Sequence, residues 1–171
     1  MTTDIMVDIE TLGTQPGSAI LAIAAVTERS SFVEYLSNAD SIRHRFTMDV
    51  DTINWWLLQP QELYAVTTSG TAPVKGTLEA FSDWLSGFTN YRIWGNGAGF
   101  DIVLLEAAYR KVGVKIPWNY WQVMCYRTLK NIYPDLCTHK PVTPHDPYED
   151  AKAQYQNLQV ILNEMRQPKM L

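Results

Sequence analysis

The segment "IMVDIETLGT" places two carboxylates, Asp8 and Glu10, two residues apart. Its first residues are apolar, as in a buried strand, and because strand side chains alternate between faces, both acids point the same way. At about 5 Å and an effective dielectric constant near 20, their mutual repulsion is roughly 3 kcal/mol. Two explanations are open: a solvated edge strand on which acids discourage unwanted pairing, or a cation that binds between the two carboxylates.

A third acid, Asp101, opens a helical pattern directly after the glycine-rich segment "GNGAGF". It is in phase with the apolar stripe of that helix, which predicts that it faces the interior. The stripe consists of Leu104, Leu105, Ala108 and Val112. Capping of the helix would explain an aspartate here. The order of strand, glycine turn and acid also indicates the carboxyl edge of a sheet, where binding sites are built.

The stretch "HDPYEDA" supplies the next candidates. Asp146 is predicted to be an N-cap, with Pro147 at the first helical position and Glu149 completing a capping box. Those two acids therefore have a structural role. Asp150 lies in the first turn, at the border between the apolar stripe and solvent. His145 precedes the helix in a loop that contains two prolines and is therefore stiff enough to orient a side chain.

The elements that would position these residues follow from the hydrophobic pattern. Strands are predicted at 4–9, 31–36 and 91–95, and the apolar run at 19–26 is a buried strand or a helix. Asp51 is predicted to cap a short helix that Pro60 ends. Further helices are predicted at 77–87, 102–113, 121–132 and 147–166, with Gly113 ending the second of these. This order predicts an α/β fold, a mixed sheet flanked by helices, in a single domain over residues 1–171.

Composition excludes several classes of protein. Hydrophobic residues make up 46% and charged residues 19% of the 171 residues, which is typical of a globular protein. The net charge of −4 argues against a protein that coats duplex nucleic acid. No apolar run reaches the length of a membrane span, and the first ten residues lack the basic region of a signal peptide. We expect a cytoplasmic protein, with Cys125 and Cys137 as free thiols.

The ordered set of an Asp-x-Glu pair, a later Asp and a His-x4-Asp resembles the DEDDh family of 3′–5′ exonucleases, whose fold is ribonuclease-H-like. The residues that carry the resemblance are Asp8, Glu10, Asp101, His145 and Asp150. The stretches "TINWW", "IWGNGAGFD" and "PWNYW" look closest to a phage-type branch that includes exonuclease-VIII-like and exonuclease-A-like enzymes, and an adenylate-preferring exoribonuclease is related. A phage origin would place the protein in a bacterial cytoplasm. Asp146 and Pro147 depart from the small or Asn-like residues common in the family.

The resemblance implies hydrolysis of a phosphodiester with two divalent metal ions per active site. Oxygen ligands favour Mg²⁺ or Mn²⁺ over zinc. By resemblance, Asp8 would bridge both ions. Glu10 and Asp150 would hold the ion beside the attacking water, and Asp101 would support the second ion. His145 would be the general base, because histidine changes its charge near neutral pH.

The resemblance also implies contacts with the terminal nucleotide. Thr11 and Leu12 match the positions that hold it, Thr11 near the 3′ hydroxyl and Leu12 against a base. A strand-exit turn and a core contact would explain these two residues equally well. The expected substrate is single-stranded nucleic acid, DNA more than RNA. The expected products are nucleoside 5′-monophosphates. Nothing indicates a membrane partner, and both a monomer and a homodimer are open.

Aromatic residues could add stacking surfaces for bases. Candidates are Trp55, Trp56 and Phe100, and Trp56 is retained as the substrate-binding member of the tryptophan pair. Adjacent tryptophans on a short helix usually divide, with one in the core and one in the cleft. Asn96 could contact a phosphate or serve only in the turn.

Other functional classes fit less well. The "GNGAGF" segment does not match the dinucleotide-binding fingerprint G-x-G-x-x-G, because Phe100 stands at its last glycine. A zinc site would have to use Cys125, Cys137, His139 and His145, whose spacing matches no regular zinc module. The remaining alternative is a protein with a nuclease fold that binds nucleic acid without cleaving it, and a metal-dependent nuclease assay separates the two.

Overall fold

The computed structural model describes residues 2–167, and at their centre lies a five-stranded sheet. The strands are β1 (Thr3–Thr11), β2 (Ile20–Val26), β3 (Ser31–Tyr35), β4 (Tyr91–Gly95) and β5 (Val123–Cys125). Their order across the sheet is β3-β2-β1-β4-β5. The first three strands pair antiparallel, whereas β4 pairs parallel with β1 and with β5. The predicted α/β fold with a mixed sheet is therefore confirmed.

Seven α-helices flank the sheet in the described part of the chain. They are α1 (Asn38–Arg43), α2 (Val50–Leu57), α3 (Gln61–Thr68), α4 (Val74–Ser86), α5 (Asp101–Val112), α6 (Tyr126–Ile132) and α7 (Pro147–Arg166). None of the helices within residues 2–167 combines the length and the apolar character that crossing a membrane requires.

The central strand β1 is covered on both faces, which explains its run of three apolar residues, Ile5, Met6 and Val7. Its odd-numbered residues Ile5, Val7 and Ile9 pack in the larger core, which α4 and α5 help to form. Met6 points the other way and packs in a second core that contains Leu158 of α7. Because side chains alternate along a strand, the even-numbered acids of β1 lie on the face that α7 covers.

One acid on that face has a full set of protein partners. Asp4 accepts hydrogen bonds from Arg92 Nε (2.8 Å), Arg92 Nη2 (2.9 Å) and Trp94 Nε1 (2.8 Å). Its side chain is buried, and this fork of donors compensates the charge. Asp4 is therefore a structural acid, although it has the same strand phase as Asp8.

Several predicted boundaries are confirmed. Gly113 ends α5 in the left-handed conformation (φ 70°), and α7 begins at Pro147 as predicted. Asp146 is the N-cap of α7 and accepts a hydrogen bond from the Glu149 backbone. The N–H of Asp146 donates to the Thr143 carbonyl instead of to the Glu149 side chain, so the predicted capping box is only half formed. The apolar run at 19–26 is strand β2, which settles the open alternative.

Two predictions are wrong in detail. The N-cap of α2 is Asp49, whose carboxylate accepts from the N–H groups of Asp51 and Thr52, so Asp51 lies in the first turn. The helix predicted at 121–132 is interrupted, because 123–125 form the short strand β5 beside β4. A three-residue apolar run has no periodicity of its own, and only the neighbouring strand makes it a strand.

Candidate active site

The site opens where two parallel strands end at the same edge of the sheet. The pairing of β1 with β4 stops at Val7 and Gly95, and β1 continues beyond this point. Asp8 and Glu10 therefore lie on the part of β1 that β4 no longer flanks. Asp8 is 9% exposed and Glu10 is half-buried, so neither acid is on a solvated edge. The edge-strand explanation for this pair is wrong.

Asp101 approaches from the turn that follows β4. Phe100 occupies the N-cap position without a capping side chain, and Asp101 is the first residue of α5. Capping therefore does not explain Asp101, which is 4% exposed as its helical phase predicted. Its Oδ2 atom is buried without a hydrogen-bond partner among the described residues. A buried acceptor of this kind requires a proton, a water molecule or a cation.

Gly95 makes room for the Asp101 carboxylate. A Cβ atom at Gly95 would lie 2.9 Å from Asp101 Oδ2 and 3.1 Å from Asp101 Cβ. Any side chain at position 95 would thus push the carboxylate away from its present place. Gly95 belongs to the site, although the sequence pattern had assigned it only to a strand end.

The segment before α7 brings His145 beside Asp150. The His145 backbone N–H donates to Asp150 Oδ2 at 2.6 Å, and His145 has a left-handed backbone (φ 66°). Potential metal-ligating atoms of Glu10, His145 and Asp150 all lie within 4.8 Å of one another. Strand β1 and the start of α7 therefore meet at one point, and an imidazole stands beside two carboxylates there.

Helix α2 closes the site from a third direction. The Trp55 ring meets the His145 ring edge-on, with centroids 4.8 Å apart, and Trp55 is 39% exposed. Trp56 is 1% exposed, and its Nε1 donates to the Thr11 carbonyl at 2.9 Å. The predicted division of the tryptophan pair is confirmed. The choice of Trp56 as a stacking surface is wrong, because its ring is buried and its N–H forms a hydrogen bond that holds α2 against β1.

The other residues predicted to bind substrate have structural contacts. Thr11 Oγ1 donates to the Gly13 carbonyl at 2.7 Å, and Leu12 is buried in the larger core. Phe100 packs half-buried against the same core. The Asn96 carbonyl accepts a hydrogen bond from Arg127 Nη2 at 2.8 Å, within the turn. Contact of these four residues with a nucleotide stays a prediction.

Burial, more than crowding, raises the affinity of the four acids for protons. Burial and then the charge of Asp101 raise the pKa of Asp8 well above its ordinary value. Burial, followed by Asp8 and Asp150, raises the pKa of Glu10 to about 10. Burial raises the pKa of Asp101 to about 7, against the lowering effects of backbone N–H groups and Arg127. Burial also raises the pKa of Asp150. The four carboxylates thus favour a positive charge among them.

The donor set suits a hard divalent cation. Four carboxylates, one with a buried free oxygen, offer the oxygen ligands that Mg²⁺ and Mn²⁺ prefer. The alternative zinc site is not formed: within residues 2–167, Cys125, Cys137, His139 and His145 do not converge into a cluster of ligating atoms. Both cysteines are free thiols, as predicted.

Three contacts of the site were not predicted from the sequence. Gln154 Nε2 donates to Asp8 Oδ1 at 2.8 Å. Arg127 places positive charge near Asp101, and Trp55 packs on His145. The spacing of Gln154, four residues after Asp150 on one helix face, was the available signal for the first. The other two depend on tertiary packing and leave no local pattern.

Comparisons with known proteins agree with this geometry. Residues 3–162 match the profile of a family described as the 3′-5′ exoribonuclease Rv2179c-like domain. A search of curated proteins gave no significant match. The structure of E. coli exonuclease I with a 5cy-dA13 oligonucleotide is similar with a TM-score of 0.66 at 16% identity, over 99% of this chain and 42% of that chain.

Two further structures are also similar. The nuclease domain of 3′hExo, a DEDDh family member bound to rAMP, has a TM-score of 0.65 at 14% identity, over 95% of this chain and 92% of that domain. The zinc-bound E. coli exonuclease I–single-stranded DNA complex has a TM-score of 0.65 at 15% identity and the same partial coverage, 42% of that chain. At these identities the likeness shows the fold, which is that of the ribonuclease-H-like DEDDh nucleases.

The raised pKa values predict a stability that depends on pH and metal. Folded Asp101 and Glu10 hold protons that the unfolded chain releases, so their contribution to stability is complete below the unfolded pKa values and is lost as pH rises toward about 7 and about 10. We expect the melting temperature in EDTA to fall from about pH 5 to about pH 8, and Mn²⁺ to raise it most at the higher pH.

Differential scanning fluorimetry over this pH range, with EDTA or with Mn²⁺, measures both effects. Glu10→Gln removes the carboxyl group whose pKa is raised to about 10 and should flatten the EDTA profile. A wild-type melting temperature that is independent of pH and of Mn²⁺ would contradict the described electrostatics.

Gly95→Ala should reduce metal affinity without unfolding the protein. The added methyl group displaces the Asp101 carboxylate, and the atom it meets first is the end of a side chain, which can move at low cost. We expect Mn²⁺ affinity to fall by about tenfold or more, as for other changes that misorient a ligand. Isothermal titration calorimetry measures this. Gly99→Ala is the matched control, because a Cβ at Gly99 meets nothing within 4 Å. Equal losses of Mn²⁺ affinity in both variants would exclude Gly95 from the site.

Proposed function

This chain belongs to the family of Rv2179c-like 3′–5′ exoribonuclease domains, and on that premise we propose that it is a metal-dependent exonuclease that removes nucleotides from the 3′ end of single-stranded nucleic acid. The resemblance to DEDDh 3′–5′ exonucleases is thereby confirmed as a family assignment. The observation that supports the activity is that Glu10, His145 and Asp150 meet at one sheet edge, with Asp8 and Asp101 close enough to raise the pKa of Glu10. Asp101 adds a buried carboxylate oxygen that lacks a partner among the described residues.

We propose that Asp8, Glu10, Asp101 and Asp150 hold two Mg²⁺ or Mn²⁺ ions. Bound divalent cations supply charge neutralisation for the phosphodiester and for the departing 3′ oxygen. Support comes from the all-oxygen donor set and from the raised pKa values, which reflect a site that is short of positive charge. The acids come from three separate elements, β1, α5 and the first turn of α7.

His145 is proposed to be the general base. Its ring stands beside Glu10 and Asp150, where an imidazole nitrogen can accept the proton of an attacking water. The hydrogen bond from its backbone to Asp150 and the edge contact with Trp55 restrict where the ring can go. The departure at Asp146 and Pro147 is compatible with this position, because Asp146 caps α7 while His145 remains beside the acids.

A single strand fits the site through its exposed aromatic and cationic groups. Trp55 offers a partly exposed ring, and stacking on an aromatic side chain contributes about 1–3 kcal/mol per base. Arg127 is exposed beside the turn at Asn96 and can pair with a phosphate. We propose that Thr11 and Leu12, at the end of β1, contact the terminal nucleotide.

The family description names an exoribonuclease, which favours RNA as the substrate, whereas the phage-type resemblance favoured DNA. Discrimination between the two requires a contact with the 2′ hydroxyl group. The E. coli exonuclease I structure contains a deoxyadenosine oligonucleotide and the 3′hExo domain contains rAMP, so proteins of similar fold bind a DNA strand in one case and a ribonucleotide in the other. DNA is the second candidate substrate.

Digestion of matched RNA and DNA oligonucleotides of one sequence tests the proposal. With a 5′ label and Mn²⁺, we expect a descending ladder and release of nucleoside 5′-monophosphates, because the site accepts a free 3′ end. Circular strands should resist. Asp8→Asn should abolish cleavage while the protein stays folded. Cleavage of the circle would exclude an exonuclease, and binding of the oligonucleotide without any cleavage would favour the non-cleaving alternative.

His145→Ala should lower turnover by roughly 10²–10⁴-fold, the usual contribution of a general base. Mn²⁺ affinity and KM should change far less, because the four carboxylates remain. The pH–rate profile of the wild type should rise with pH through a limb that the variant lacks. Rates at saturating Mn²⁺ across a pH series measure this.

The matched control is His44→Ala, which alters a histidine that pairs with Asp40 on α1, away from the acids. Near-identical profiles for wild type and His145→Ala would exclude His145 as the base. A loss of Mn²⁺ affinity as large as the loss of turnover would instead make it a cation ligand.

A further inference from the structure

Gln154 is a buried amide that contacts the acid cluster from α7. It is 9% exposed, and its Nε2 donates to Asp8 Oδ1 at 2.8 Å. It lies four residues after Asp150, so both side chains project from one face of α7. One turn of this helix therefore presents a carboxylate and an amide donor to the acids of β1.

The other end of the same amide has no partner. Gln154 Oε1 is buried and accepts no hydrogen bond within the described residues. Ionised carboxylates cannot donate to it, because they are acceptors only, whereas water donates readily. An unpaired buried acceptor costs free energy, and a hydrated cation in the cluster would bring the donor that it lacks.

The donor end restricts the orientation of Asp8. A carboxylate that accepts an N–H hydrogen bond at one oxygen is held in one orientation. Its second oxygen is then free for another ligand. Metal sites commonly use this arrangement, in which groups behind the ligands orient them and influence metal affinity. The side chain of Gln154 donates a hydrogen bond to Asp8, whose carboxylate lies close to Asp101 and Asp150. A change in the orientation of Asp8 therefore affects the whole cluster.

We propose that Gln154 is a positioning residue that orients the Asp8 carboxylate for divalent cations and accepts a hydrogen bond from a water molecule that accompanies them. This inference rests on the proposed metal-dependent function. It assigns Gln154 no contact with the scissile bond. It predicts an effect on cation affinity rather than on affinity for the nucleic acid.

Gln154→Met tests the proposal, because methionine keeps the length of the side chain and removes both polar atoms. Mn²⁺ binding is measured by isothermal titration calorimetry without nucleic acid, and we expect the affinity to fall about 10–100-fold. The Mn²⁺ concentration for half-maximal turnover should rise in parallel, with KM for the oligonucleotide unchanged. Gln154→Leu is the second variant, so that the test does not depend on one substitution.

Gln156→Met is the matched control, the same substitution at an exposed position of α7. The melting temperature in EDTA separates positioning from folding. A loss of Mn²⁺ affinity with an unchanged melting temperature supports the proposal. Unchanged Mn²⁺ affinity, or a loss matched by a lower melting temperature in EDTA, overturns it.

The two hypotheses fail in different ways. If wild type binds Mn²⁺ and cleaves while Gln154→Met does both equally well, the role of Gln154 is wrong and the proposed function stands. If wild type neither binds Mn²⁺ nor cleaves, the proposed function fails and the role of Gln154 fails with it.

Discussion

The close approach of four carboxyl groups, two buried and two half-buried, is the constraint on which the site depends. Burial is the main cause that raises the pKa values of Asp8, Glu10, Asp101 and Asp150, and neighbouring acids raise those of Asp8, Glu10 and Asp150 further, so the folded chain holds these groups together at a cost. The sheet makes this possible, because β1 is anchored on both sides by β2 and β4 and cannot move the acids apart. The nearby Asp4 shows the contrast: where an acid serves the fold, the Arg92 guanidinium neutralises its charge and Trp94 donates a hydrogen bond to it.

Much of this arrangement could be predicted from the sequence because it follows from the local spacing of residues along strands and helices. The two-residue spacing of Asp8 and Glu10 indicates one strand face, and the phase of Asp101 indicates the buried face of α5. Helix α7 starts at Pro147 as predicted, because a proline at the first helical position and an aspartate cap are strong local signals. These features need no knowledge of the rest of the chain.

The failures arise where tertiary contacts decide. Strand β5 exists only because β4 lies beside it, and Trp56 is buried only because α2 folds back on Thr11. Two adjacent tryptophans on a short helix indicate that their side chains point in different directions. They do not indicate which of the two faces the interior. The role of Gly95 was likewise invisible, because it depends on an atom of Asp101 six residues later in the chain.

The hydrogen bond between Gln154 and Asp8 joins residues that are 146 positions apart. Contacts of such long range form late, after loop closure has brought the two segments together. During synthesis on the ribosome, the first strand emerges long before the helix that completes its acid cluster. A nascent chain that still lacks α7 has neither Asp150 nor His145 beside Glu10. The acid cluster is therefore complete only once helix α7 has been made, and shorter nascent chains contain no assembled site.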